Sequence, residues 1–133
     1  MNKAPIERLI QFRLNQAEES LLEAENLLQS SLFRGAVNRA YYAMFYAVLA
    51  LAVLKQKITS KHTGVIAFFD KDFVKTGIFS KDLSRSLHMA FELRKNTDYG
   101  EILTVNEEEV LQTLDDARLF VETIKKYLNS ISK

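Results

Sequence analysis

The hydrophobic pattern of the chain centres on a run after Arg39, in which the fifteen residues from Ala40 to Leu54 carry no charged side chain. A helix that is apolar on every side has no face for water, so this run predicts a helix surrounded by other elements. It is shorter than the roughly 18 apolar residues that favour a transmembrane helix. We therefore expect a central helix over about Leu32–Gln56. Its buried tyrosines would need partners for their hydroxyls; they are Tyr41, Tyr42 and Tyr46.

Segments at the two ends of the chain have the apolar spacing of amphipathic helices. The first begins near Pro5, which is tolerated in a first helical turn, and ends near Ser30 and Ser31, either of which would cap the central helix. Its apolar stripe is Ile6, Ile10, Leu14, Ala17, Leu21, Ala24 and Leu28. Near the other end, Asn106 predicts an N-cap with Glu109 as the capping-box acid. The stripe that follows is Val110, Leu114, Ala117, Val121, Ile124 and Leu128.

Two further helices are predicted between these segments. A short one begins at Ser60 or Thr63 and leaves through a loop at Gly77, and a fourth is capped by Ser80. The fourth buries Leu83, Leu87 and Ala90, and Arg94 continues the same line. Residues 96–100, Asn-Thr-Asp-Tyr-Gly, have turn composition. The pattern predicts an all-α protein, an antiparallel four-helix bundle with an additional short helix, in one domain over residues 1–133.

Composition and charge narrow the classes of function. The 18 basic and 17 acidic residues give a net charge of +1, without the basic face that duplex DNA binding requires. The chain has no cysteine, which excludes thiolate metal sites, and its four glycines are isolated, so no phosphate loop is present. We expect no metal and no cofactor. The charged N-terminal segment favours neither a signal peptide nor a membrane anchor, which predicts a cytoplasmic protein.

Three stretches in order resemble the HEPN family of small helical domains: NRAYYAMFYAVLALAVL, KHTGVIAFFDKDFVKTGIFSKDL and AFELRKNTDYG. The resemblance covers roughly residues 8–128. It implies a four- or five-helix bundle that forms a homodimer, and often a partnership with a minimal nucleotidyltransferase in a toxin-antitoxin or stress-response pair. Active members are metal-independent RNases, in which four to six residues separate an arginine from a following histidine and two such motifs face each other across the dimer cleft.

The chain departs from this active pattern. Arg94 matches the motif arginine by its place late in the fourth helix, but Tyr99, Gly100 and Glu101 occupy the positions where the histidine would fall. Both histidines, His62 and His88, precede Arg94. The resemblance therefore carries over the fold, the dimer and Arg94, and leaves the RNase chemistry open.

The candidate catalytic residues are Arg94, Asp98 and Tyr99. Arg94 would bind a phosphate through its planar fork of donors, Asp98 would orient Arg94 or accept a proton, and Tyr99 would occupy the place of the histidine. The alternative is structural: Arg94 and Asp98 form an i, i+4 pair that closes the helix, and Tyr99 packs beneath the turn.

The candidate nucleotide- or RNA-binding residues are Arg39, Tyr42, Tyr46, Lys61 and His62. Lys61 and His62 would form an anion site at a helix N-terminus, and His62 would replace the missing histidine if folding brings it near Arg94. Otherwise the junction is solvated and His62 caps or packs locally. Arg39 would pair with an acid of the first helix, while the tyrosines would line a cleft or pack inside the bundle. His88 has Ser84 four residues before it and Glu92 four residues after it, and one histidine with one glutamate does not indicate a metal site.

Three functions stay open from the sequence. The first is a regulatory module that binds a nucleotide or an RNA phosphate, partnered with a nucleotidyltransferase. The second is an RNase in which Tyr99, Asp98 or His62 replaces the motif histidine. The third is a structural bundle without a ligand.

Overall fold

The structure is a computed structural model that describes residues 4–57, 61–99 and 105–131. These residues form five α-helices: α1 (Ala4–Gln29), α2 (Phe33–Leu54), α3 (His62–Phe69), α4 (Lys81–Tyr99) and α5 (Glu107–Ile131). A π-helical segment, Asp70–Val74, continues α3 and was not predicted. The all-α class and the four-helix bundle with an additional short helix are confirmed.

Helix α2 lies at the centre of the bundle, where it packs against α1, α3, α4 and α5. Its apolar residues face all of these neighbours, so twelve of its positions are buried. By length and composition α2 could also cross a membrane, and the sequence argument from the length of the uncharged run was wrong on this point. However, 61% of that apolar window is buried inside the bundle. A soluble core helix has this placement.

Aromatic rings join α3, the π-helical segment and α5. Phe69 packs against Phe120 with ring centroids 5.1 Å apart, and Phe73 lies 5.6 Å from Phe79. Phe120 is fully buried. All six residues of the predicted α5 stripe are buried as well, which confirms the prediction made from their spacing.

The helix ends agree only in part with the predicted caps. Asn106 and Glu109 form the predicted capping box, in which Glu109 N donates to Asn106 Oδ1 at 2.8 Å and Asn106 N donates to Glu109 Oε1 at 3.2 Å. Ser80 Oγ accepts from Leu83 N at 3.4 Å. The prediction that Ser30 or Ser31 caps α2 was wrong: Leu32 is the N-cap residue, without a side-chain cap. Ser31 instead has a left-handed backbone, with a φ of 58°.

The start of α3 also differs from the prediction, whereas its exit loop agrees with it. Helix α3 begins at His62, with Lys61 as an N-cap residue that makes no side-chain cap, and Thr63 lies inside the helix. Ser60 is outside the described residues. Gly77, with a φ of +84°, lies in the predicted exit loop.

The turn predicted over residues 96–100 is helical as far as Tyr99, and Gly100 lies outside the described residues. Thr97 is buried, and its Oγ1 donates to the carbonyl of Arg94 at 2.8 Å. The local turn preference of Asn96, Thr97 and Asp98 is therefore outweighed by burial and by bonding back to the helix.

Candidate functional site

Two adjacent tyrosines of α2 hold the imidazole of His62. The hydroxyl of Tyr41 lies 2.8 Å from His62 Nδ1, and the hydroxyl of Tyr42 lies 3.4 Å from His62 Nε2. Tyr41 is fully buried and Tyr42 is half-buried. The Tyr41 contact has the length of a good hydrogen bond and the Tyr42 contact is weak. His62 is the first residue of α3, so these contacts also fix the start of α3 against α2.

The imidazole of His62 lies among aromatic rings. Its centroid is 4.6 Å from that of Phe45 and 6.2 Å from that of Phe91, to which it is nearly parallel. Burial lowers the pKa of His62 below its ordinary value, and the positive charge of Arg94 lowers the pKa further. The imidazole is therefore neutral at neutral pH, so one ring nitrogen can accept a proton.

Arg94 lies over the faces of the same two tyrosines. Its guanidinium carbon is 5.7 Å from the ring centroid of Tyr41 and 5.4 Å from that of Tyr42, within the range of cation–π attraction. The Arg94 side chain keeps 18% of its surface exposed. Its cation is thus held by rings and remains open to a ligand.

The only carboxylate paired with Arg94 among the described residues is that of Asp98. Arg94 Nε lies 3.2 Å from Asp98 Oδ2. This is an ion-pair distance, but the geometry is not that of a hydrogen bond, and the buried Nε has no hydrogen-bond partner in the described part of the chain. The predicted i, i+4 pair is therefore present as an ion pair, without a hydrogen bond from Nε.

A second arginine, Arg39, lies on Tyr42. Its guanidinium carbon is 4.8 Å from the Tyr42 ring centroid. Arg39 also donates to Asn38 Oδ1 at 3.0 and 3.1 Å and lies 3.5 Å from Glu23 of α1. The predicted pairing of Arg39 with an acid of the first helix is thus present. The Tyr42 ring thus has two cations near it, and the ring of Tyr46 is 5.9 Å from it.

Tyr41 differs from an ordinary tyrosine in its acidity. Burial is the main cause that raises the pKa of its hydroxyl, the neighbouring Tyr42 adds to the increase, and Arg94 opposes it. Tyr41 is therefore protonated at neutral pH. It holds His62 by a hydrogen bond between neutral groups.

The structure brings most of the predicted site residues together. The group formed by Tyr41, Tyr42, His62, Arg94 and Asp98 is hereafter the Arg94 cluster. Arg39 and Tyr46 adjoin it through Tyr42. Lys61 is exposed and is the N-cap residue of α3. Tyr99 lies in the last position of α4, and its side chain is outside the described residues.

Two features of the site were missed from the sequence. The predicted site residues include neither Tyr41, whose hydroxyl bonds His62, nor Phe91, whose ring packs on His62. The signal for Tyr41 was present, because a buried hydroxyl in an apolar helix must find a partner. Phe91 precedes Arg94 by three residues, a spacing that places both on neighbouring positions of one helix face.

His88 belongs to a different group of side chains. Its Nε2 lies 2.6 Å from Asp70 Oδ2, and Ser84 Oγ donates to Asp70 Oδ1 at 2.6 Å. These bonds tie α4 to the π-helical segment. Within residues 4–57, 61–99 and 105–131, no three His, Asp or Glu side chains are grouped so as to hold a metal ion.

The arrangement contains two kinds of group that phosphate chemistry without a metal can use. Arginine offers several donors to a phosphate, while a neutral histidine near it could take a proton from a hydroxyl. Both groups contact Tyr41 and Tyr42: His62 contacts the hydroxyls and Arg94 contacts the ring faces. The nearby carboxylates of Asp98 and Glu23 reduce the positive charge, so the site suits one phosphate rather than a long duplex.

Comparisons with known proteins give one matching family model and several similar proteins. The sequence model of the HEPN domain matches residues 10–127. The UPF0332 protein of Thermotoga maritima is 39% identical over 127 residues, which cover 96% of both chains. Two proteins of Methanocaldococcus jannaschii, each named "Putative toxin", are also similar. One is 37% identical over 96% of this chain and 84% of its own length, and the other is 38% identical over 92% and 90%.

Proposed function

Because the chain belongs to the HEPN domain family, we propose that it is a toxin-like HEPN module whose Arg94 cluster binds the phosphate of a nucleotide or of RNA. The observation that carries this proposal is the placement of the Arg94 guanidinium on the faces of Tyr41 and Tyr42, with 18% of the side chain exposed and with no described residue accepting a hydrogen bond from it. A planar guanidinium with free donors matches a phosphate. The names of the two archaeal relatives support the toxin-like part.

Arg39 supplies a second cation to the same site, because it also contacts the ring of Tyr42. Its guanidinium lies on Tyr42, 4.8 Å from the ring centroid, and its side chain is 28% exposed. A nucleotide has a base as well as phosphates, and the half-buried rings of Tyr42 and Tyr46 offer it an aromatic surface. We propose that Arg94 binds the phosphate and that Arg39, Tyr42 and Tyr46 contact the sugar or the base.

The test is titration calorimetry with ATP and with a short single-stranded RNA. We expect Arg94→Ala to weaken binding at least tenfold. Arg94→Lys should recover part of the affinity, because lysine keeps the charge and loses the bidentate donors. Arg118→Ala is the matched control, since Arg118 is an exposed arginine of α5 that pairs with Glu25 and Asp115. Equal affinities for wild type, Arg94→Ala and Arg118→Ala would refute the proposal.

The oligomeric state, the location and the partner protein are proposed from membership of the HEPN family. Residues 1–133 would form one HEPN-like domain that assembles as a homodimer in the cytoplasm, with a minimal nucleotidyltransferase as partner protein. Light scattering tests the dimer: a mass near 15.3 kDa at every concentration would exclude it. Co-expression with the nucleotidyltransferase encoded nearest in the genome tests the partnership, and separate elution of the two proteins would contradict it.

RNA cleavage is the second candidate function, and the position of His62 favours it. His62 shares Tyr41 and Tyr42 with Arg94, and its lowered pKa keeps the imidazole neutral. A neutral His62 would take the proton of a ribose 2′-hydroxyl. The 2′-oxygen would then attack the phosphorus, Arg94 would stabilise the added negative charge, and the 5′-oxygen would leave with a proton from water.

Cleavage can be separated from binding by substrate and by variant. We expect RNA to be cut, and the same sequence as DNA to stay intact, because DNA lacks the attacking hydroxyl. His62→Ala should abolish cleavage and retain RNA binding, whereas Arg94→Ala should reduce both. His88→Ala is the control, because His88 bonds Asp70 outside the cluster. If wild type leaves every RNA intact, cleavage is excluded and the binding proposal stands or falls on calorimetry.

A further inference from the structure

A groove lies between α4 and α5, on a different face of α4 from Arg94. Its volume is about 450 Å³. Apolar side chains of α4 line it, namely Met89, Ala90 and Leu93. Ala90 is buried and Leu93 half-buried, whereas Met89 is 58% exposed. The groove therefore presents apolar side chains to solvent between two long helices.

The apolar surface continues along α5 beyond the groove. Leu119 follows Gln112, a groove residue, by one heptad, so both lie on the same face of α5. Leu119 is 62% exposed. A single exposed leucine needs no explanation, but Met89 and Leu93 line one groove between adjacent helices, and Leu119 lies on the same face of α5 as the groove residue Gln112. Methionine also adapts its shape readily to a partner.

The rim of the groove is acidic. Glu92, Glu109 and Asp116 line it, and its described lining includes no lysine or arginine. Asp116 accepts a hydrogen bond from the neutral Gln112 at 2.9 Å. Glu92 lies 3.8 Å from Lys95, an exposed pair that neutralises one of the three carboxylates in part. The rim thus keeps a negative charge beside an apolar floor.

We propose that the groove between α4 and α5 docks an amphipathic helix of another protein, whose apolar stripe contacts Met89 and Leu93 and whose flanking lysines or arginines face Glu92, Glu109 and Asp116. Two adjacent helices leave a channel into which a third helix packs through its side-chain ridges. The proposal is independent of any activity at the Arg94 cluster.

Neither α1 nor α5 of a second copy supplies such a helix, and α4, which has four basic and three acidic residues, itself forms one wall of the groove. Helix α1 has five acidic and two basic residues, and α5 has six acidic and three basic residues. The long outer helices would therefore bring like charge to an acidic rim. Charge complementarity points to a basic helix from a different protein.

Two synthetic 18-residue helical peptides with the same leucine stripe test the proposal, one flanked by lysines and the other by glutamates. They are titrated into the ¹⁵N-labelled full chain. We expect the lysine peptide to bind and to shift the amide signals of Met89, Leu93 and Gln112, and the glutamate peptide to bind at least tenfold more weakly. Equal binding of both peptides, or shifts confined to other helices, would overturn the proposal.

Variants identify the contacts. Met89→Lys should weaken the lysine peptide at least tenfold, and Leu32→Lys, a matched change at an exposed leucine in the α1–α2 connection, should leave its affinity unchanged. Asp116→Asn removes one rim charge without a change of shape, and should weaken binding and reduce its salt dependence. An affinity for the lysine peptide that neither Met89→Lys nor Asp116→Asn changes would refute the proposed site. Self-association of wild type that Met89→Lys abolishes would make a second copy the occupant and refute the proposal.

Discussion

The hydrogen bond between Tyr41 and His62 should stabilise the protein measurably, and Tyr41→Phe removes it. Tyr41 is fully buried and its hydroxyl is 2.8 Å from His62 Nδ1. A bond of this kind contributes about 1 kcal/mol, and the loss is larger when the remaining partner is shielded from water. His62 is half-buried, so water can replace the hydroxyl only in part. We expect a loss of about 1–1.5 kcal/mol in the free energy of unfolding.

Tyr42→Phe is the matched comparison. It removes a hydroxyl from the adjacent residue, which contacts the other nitrogen of the same imidazole at 3.4 Å. That distance is beyond the usual range of about 2.7–3.2 Å, so the contact is weak. Tyr42 is also half-buried, and water can reach the position of its hydroxyl. We expect Tyr42→Phe to cost less than about 0.5 kcal/mol.

Urea denaturation followed by circular dichroism measures both variants. For a denaturant slope of about 1.5 kcal/mol per molar, the Tyr41→Phe midpoint should fall by about 0.7–1 M and the Tyr42→Phe midpoint by less than about 0.3 M. Protein concentration must be the same in all samples, because assembly shifts the midpoint. Equal losses for the two variants, or a Tyr41→Phe midpoint equal to that of wild type, would refute the reasoning.

Three other predictions test the site and the fold. The pKa of His62 is lowered by burial and by Arg94, so the unfolded chain takes up a proton at a higher pH, about 6.5, than the folded imidazole does. Stability should therefore fall as the pH drops from about 7.5 to 5.5, and urea midpoints should fall less in His62→Gln; identical pH profiles would contradict this. Asn106→Ala removes the acceptor for Glu109 N and should cost about 1 kcal/mol by thermal unfolding, while Asn26→Ala, at an exposed position inside α1, serves as its comparison. Phe120→Ala empties a fully buried site and should cost about 3–5 kcal/mol in urea; a loss below about 1 kcal/mol would indicate that the core collapses around it.

The parts of the fold that depend on near neighbours in sequence could be predicted. The α5 stripe and the capping box of Asn106 and Glu109 follow from spacings of three and four residues, and both are confirmed. The π-helical segment could not be predicted in this way. Lys75 N donates to Asp70 O at 2.8 Å, the i to i+5 bond that defines it. Nothing in the local spacing signals this bond, and the packing of Phe73 into the core stabilises the segment only after folding.

In the candidate site, too, contacts between residues close in sequence could be predicted and contacts between distant residues could not. The pair of Arg94 and Asp98 is local, and the sequence predicted it as one of two alternatives. The contact of His62 with Tyr41 joins positions 21 residues apart and depends on how α3 folds back against α2. The sequence stated only the condition that folding brings His62 near Arg94, and it did not predict Tyr41 as the partner of His62. Similarly, the bond between His88 and Asp70 links α4 to a segment whose π-helical form was not foreseen.

The Arg94 cluster is assembled from three helices, with Tyr41 from α2, His62 from α3 and Arg94 from α4. Unfolding separates these residues, so a ligand of the cluster binds the folded chain alone and shifts the folding equilibrium by mass action. A ligand at about 100 times its dissociation constant would add about 2.7 kcal/mol to the free energy of unfolding. Thermal-shift screening of nucleotides and short RNAs can therefore find the natural ligand before any activity is known. A true hit raises the melting temperature of wild type and loses that effect in Arg94→Ala.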